Sequence, residues 1–170
     1  MKMCKRMVVL VLVFFLIAVT SCGLREKSKY PSGKDTIESY GDGTFQLVRI
    51  DPAIGVFYKA LSFEKYHSVV IAHVDNVKRV DGKVYFLGHE DSQYVTDQGI
   101  VDVRHTIYAV LELKSNTIQY CAVSDYPLAE AIYISRQDEM VQNEDMVFLD
   151  SLSDFSDEDE NVLRSILKTD

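Results

Sequence analysis

The stretch His105-Thr-Ile-Tyr-Ala-Val-Leu-Glu-Leu-Lys-Ser-Asn-Thr-Ile-Gln-Tyr-Cys-Ala122 decides the fold. Two runs rich in β-branched, aromatic and apolar residues flank the polar dipeptide Ser115-Asn116, the pattern of a β-hairpin. A two-residue turn there would set Leu113 against Ile118, Leu111 against Tyr120 and Ala109 against Ala122 on one face. The other face would pair Lys114 with Thr117, Glu112 with Gln119 and Val110 with Cys121, solvated near the turn and covered at the far end. A slip of one residue would place Glu112 opposite Ile118 and undo this sorting. A sheet with one apolar face needs a second layer.

Upstream, Asp81-Gly82 predicts a tight turn between strands at Val77–Val80 and Lys83–Leu87, because glycine accepts a positive φ without strain. Phe45–Ile50, Gly55–Ala60 and His67–Val74 also read as strands, separated by Asp51-Pro52 and by residues 62–65. Residues 88–104 are polar and predict the longest loop of the body. Downstream, Pro127–Ile134 fits a short helix or a strand equally well, and Met146–Leu149 reads as a strand. The chain closes on a predicted helix with Ser156 as N-cap and acids in its first turn. Val162, Leu163, Ile166 and Leu167 form one stripe, with Arg164 and Lys168 near the end. The expected fold is mainly β: an antiparallel sheet of about six or seven strands with one C-terminal helix, and α+β as the alternative. Residues 44–170 form a single domain, large enough to bury a core without covalent staples.

Before this domain, residues 23–43 are polar, lack apolar periodicity and contain Pro31 and four glycines, the texture of a tether. The N-terminus is different again. Lys2, Lys5 and Arg6 precede an unbroken run of 13 apolar residues from Met7 to Val19, then Thr20, Ser21 and Cys22. A spanning helix needs about 20 apolar residues, so the run fits the h-region of an export signal, residues 1–21. Val19-Thr20-Ser21-Cys22 resembles the lipobox of bacterial lipoproteins, with Val19 where leucine is most typical. That resemblance covers the leader and Cys22 alone. It implies cleavage before Cys22, diacylglyceryl transfer to its thiol, and often acylation of the new N-terminus with a chain such as palmitate. At about 0.8 kcal/mol per buried methylene, two or three such chains would hold residues 22–43 as a lipidated tether on the extracytoplasmic face of a bacterial cell membrane.

Charge narrows the partners. The full chain has 18 basic and 26 acidic residues, and removal of Lys2, Lys5 and Arg6 with the leader leaves 15 basic residues and a formal charge of -11. Nucleic acid and anionic headgroups would repel such a body, so the lipid must hold it. Of the three cysteines, Cys4 leaves with the leader and Cys22 takes the lipid, so Cys121 remains and no internal disulfide forms. Its place in the hairpin suits a small core residue better than a nucleophile.

Motifs for a serine elbow, a zinc helix, a C-x-x-C pair, a phosphate-binding loop or a dinucleotide fold are absent from the sequence. No cofactor is expected. His67 and His73 share a strand face but would stand about 20 Å apart at 3.3 Å per residue, too far for one metal ion. His89-Glu90-Asp91 is the candidate cation cluster, one imidazole and two carboxylates in the predicted loop. Asp154, Asp157, Glu158, Asp159 and Glu160 form an acidic run that lacks the glycine and glutamate spacing of a calcium loop. They serve either to favour the start of the last helix or to recruit a basic partner. Three functions follow as expectations: a non-catalytic binding or interaction module at the cell envelope, an inhibitor or immunity lipoprotein against a basic enzyme or toxin, and an envelope hydrolase using carboxylates.

Overall fold

The computed structural model describes residues 32–51, 58–65, 68–97, 99–124, 126 and 145–167. They fold into a mainly β architecture with a single C-terminal helix. One sheet holds β1 (Thr36–Tyr40), β2 (Phe45–Ile50), β3 (Tyr58–Phe63) and β4 (Ser68–Ile71) in that order. The other holds β5 (His73–Val80), β6 (Lys83–Thr96), β7 (Gly99–Glu112), β8 (Thr117–Ser124) and β9 (Met146–Phe148). Neighbours are antiparallel except β8 and β9, which run parallel. A 3₁₀ turn, Leu152–Asp154, leads into α1 (Asp157–Ile166). Among the described residues no helix is long and apolar enough to cross a membrane.

Alternation along the central strands builds three layers. Val84 and Phe86, Ile107, Ala109 and Leu111, and Ile118, Tyr120 and Ala122 face Tyr40, Phe45, Leu47, Leu61 and Phe63 of the first sheet. The intervening Tyr85, Leu87, Tyr108, Val110 and Cys121 pack instead on Leu152, Phe155, Leu163 and Ile166. The period of two therefore serves both faces of one sheet. Cys121 is fully buried in the helix-side layer, as a small core residue.

Among the described residues the structure places nine strands where six or seven are expected, and three differences from the sequence reading stand out. First, β1 lies inside the stretch assigned to the tether, so the folded body begins by Thr36 and not at residue 44. Its polar look comes from edge exposure, while Tyr40 is buried against Phe86 at a ring separation of 5.4 Å. Second, the run from His67 onward breaks at Ala72, where the chain leaves one sheet and enters the other. Third, residues 88–104 are not a loop. They continue β6 and β7 into a hairpin arm with Thr96 opposite Gly99, held by polar pairs such as Gln93 Nε2 to Asp102 Oδ1 at 2.8 Å. Neither face of the arm needs apolar alternation, which is why the sequence hides it.

Other expectations hold. Phe45–Ile50 is a strand with those bounds, and Asp81 and Gly82 turn with φ of 46° and 83°. Ser156 caps α1, its Oγ accepting from Asp159 N–H at 3.2 Å. The β7–β8 hairpin forms, but two residues out of the expected register: Leu111 pairs with Ile118, Ala109 with Tyr120 and Tyr108 with Cys121. Leu113 to Asn116 make the loop, with Asn116 at φ 55°. Leu113 N–H donates to the Gly82 carbonyl at 3.1 Å, tying this loop to its neighbour. A shift of two keeps every side chain on its face, so the sorting survives. The regions assigned to residues 127–134, His67, Lys168 and the leader with Cys22 lie outside the described residues.

Candidate functional site

The crossing at Ala72 creates the site. Where the chain passes from β4 to β5 it runs over Gly88 of β6 so closely that a Cβ there would lie 2.2 Å from the His73 carbonyl oxygen. This approach sets His73 opposite His89 in the β5–β6 ladder, with the imidazoles stacked at 4.9 Å and 5° apart in plane. A bulge between Val74 and Asn76 turns Asp75 so that its Oδ2 lies 2.7 Å from His89 Nδ1. The carboxylate thereby fixes the ring, leaving Nε2 as the nitrogen available to a ligand.

The opposing wall comes from the first sheet. β2 and β3 pair Phe45 with Phe63 and Leu47 with Leu61, and the next pair on the same face is Arg49 with Lys59. An apolar inner face thus ends in two cations directly across from one another, both exposed. Ile37, Arg49, Lys59, His73, Val74, Asp75 and His89 together line an open cleft of about 570 Å³. Its described lining carries two permanent cations, two imidazoles and one carboxylate, a set suited to holding an anionic or hydrogen-bonding group.

The residues singled out from sequence disperse. His89 enters the cleft, but Asp91 forms a two-bond ion pair with Arg104 across the arm at 2.7 and 3.1 Å, and Glu90 faces the other side opposite His105. Hydrogen bonding to Arg104 holds the Asp91 carboxyl below its usual range. The three do not converge, and among the described residues no group of three or more His, Cys, Asp or Glu could hold a metal ion.

The acidic run divides as well. Asp159 is buried, its two oxygens each 2.9 Å from Lys83 Nζ, with Tyr85 Oη donating at 2.7 Å. Burial raises its carboxyl, yet the hydrogen bonds from Lys83, Ser156 and Tyr85 outweigh that and hold it below the ordinary carboxylate range. Asp154 accepts from Ser151 N–H at 2.9 Å, and Glu160 pairs with Arg164. Asp157 and Glu158 remain as the exposed acids of the first turn.

Arg49, Lys59 and Asp75 escape a reading of the sequence, and His73 enters it only beside His67, because the two walls of the cleft meet only through the crossing. The available signal is a charge at the last of the odd positions 45, 47 and 49 of one strand and at the first of the odd positions 59, 61 and 63 of the next, the other odd positions being apolar. Comparisons with protein families, curated proteins and solved structures gave no match.

Proposed function

We propose that this chain is a membrane-anchored bacterial lipoprotein acting as a non-catalytic binding module at the cell envelope. The observation that carries the reading is the ordered leader: a basic start, 13 apolar residues, then small residues up to Cys22. Cys22 and β1, which begins at Thr36, are separated by 13 residues of sequence. The inter-sheet cleft offers the binding surface, its open form suiting capture and release.

Expression of the full chain in a bacterium supplied with an alkyne analogue of palmitate tests the anchor. Wild-type protein should carry the label and sediment with membranes, while Cys22→Ser should lack the label and keep its leader. An unlabelled wild type, or a Cys22→Ser chain processed and retained like wild type, overturns the reading.

A further inference from the structure

We infer that the β6–β7 hairpin arm is a second membrane contact, which lays Val95 and Ile100 at its tip against the bilayer that holds Cys22.

The body has two distinct ends. β1 enters it at Thr36, and Ile37 lines the inter-sheet cleft together with His89, so the chain coming from Cys22 joins the fold beside the point where β6 leaves the body as the arm. At the other end of β6, Lys83 holds Asp159, which puts the exposed acids Asp157 and Glu158 there. Lys83 and Thr96 stand about 43 Å apart at 3.3 Å per residue, so these acids, which anionic headgroups would repel, lie far from the tip. The 13 residues between Cys22 and Thr36 can span no more than about 50 Å in any conformation. From the same end the arm projects about 23 Å between His89 and Thr96. An anchor that close keeps the tip within reach of the surface.

The tip is built for an apolar neighbour. Val95 and Ile100 pair directly and are 86% and 69% exposed, more than any other large apolar side chain among the described residues. Behind them on the same face, Gln93 donates to Asp102 at 2.8 Å and Arg104 binds Asp91 through two bonds, so both carboxylates there would meet headgroups already hydrogen-bonded. Exposed Asp97 in the turn limits the contact to the boundary between headgroups and acyl chains. Two aliphatic side chains hold a bilayer weakly by themselves, but the anchor keeps them at high effective concentration beside it. The contact therefore sets the orientation of the body and turns the cleft at the base of the arm toward the membrane.

The inference rests on the lipoprotein reading, and sedimentation separates the two. Full-length protein isolated from membranes is reconstituted in phosphatidylethanolamine–phosphatidylglycerol vesicles containing brominated lipid, with an environment-sensitive dye on Thr96→Cys or, at the opposite end, on Lys114→Cys. Bromine should quench the dye at residue 96 at least threefold more than the dye at residue 114. Adding Val95→Ser with Ile100→Ser should bring the two to the same level while the protein still sediments with the vesicles, and Asp97→Asn should raise the quenching at residue 96. Protein that does not sediment overturns the anchor and this inference together. Sedimenting protein with equal quenching at both sites, or quenching that survives the serine pair, overturns the inference alone. A dye response that follows protein density and not bromine content would mean that a second copy covers the tip, and overturns it too.

Discussion

Lys83 Nζ lies 2.9 Å from both carboxylate oxygens of Asp159, joining the first residue of the longest hairpin to the first turn of α1 across 76 positions of sequence. Tyr85 Oη and Ser156 Oγ complete the carboxylate's shell at 2.7 Å each. The helix is thus fastened to the central sheet by a buried charge as well as by Leu163 and Ile166.

Asp159→Ala should therefore destabilise the fold by about 2–3 kcal/mol, the range for hydrogen bonds to a buried charge. Asp157→Ala and Glu158→Ala, both exposed, should stay within about 0.5 kcal/mol of wild type. Denaturant midpoints of the three variants decide it. Equal effects would return Asp159 to the status of a surface acid.

The same group sets an acid limit. Its folded-state carboxyl is held below the ordinary value of 3.8, so the unfolded chain binds the proton first. The stabilisation is fully present above that value and is lost as pH falls through the lower, folded one. Lys83 is the mirror case, raised above 10.5 chiefly by its hydrogen bond to Asp159. Its contribution is complete below that pH and is lost as the solution passes the raised value. Asp159→Asn should flatten the fall in stability below about pH 4, measured by denaturation at a series of pH values. An unchanged slope would show that other carboxylates govern acid unfolding.

Gly88→Ala should cost about 1–3 kcal/mol, because the new methyl meets the His73 carbonyl oxygen at 2.2 Å and Ile71 Cγ2 at 2.5 Å. Gly82→Ala meets open space and is strained through its φ of +83° alone, at roughly 1–2 kcal/mol. Only the first should also disturb the cleft, seen as altered His73 and His89 ring resonances. If Gly82→Ala moved those resonances as much, the crossing would not be what positions the stack.

Along the β6–β7 hairpin, residues 84–88 pair with β5 as well as β7, whereas residues 90–96 have their ladder partner in β7 alone among the described residues. Val95 and Ile100, directly paired in the arm, are 86% and 69% exposed. Amide exchange should be fast over 91–103 and slow over 84–88 and 107–111. Uniform protection along both strands would mean that the arm is covered.

Cys121 has no exposed surface, so its thiol should resist a bulky alkylating reagent in the native protein and react once denaturant is added. Mass analysis of the peptide containing Cys121 reads this directly. Rapid native labelling would contradict its place beneath α1.

The linear chain carries the strand class, the Asp81-Gly82 turn, the capped C-terminal helix and the two-sided sorting of the β7–β8 hairpin, because each depends on neighbours a few residues apart. It leaves the hairpin register open by two, since a step of two preserves every face. It also conceals the arm at residues 88–104, where pairs such as Asp91 with Arg104 take the place of apolar alternation. Tertiary structure alone decides the cleft: a strand must change sheets at Ala72 and pass over Gly88 before His73, His89 and Asp75 can face Arg49 and Lys59. It likewise decides that one aspartate of an acidic run is buried while its neighbours are wet. Local pattern fixes which side of an element is apolar, but charges distant in sequence acquire a shared role only when the packing of two sheets brings them to one opening.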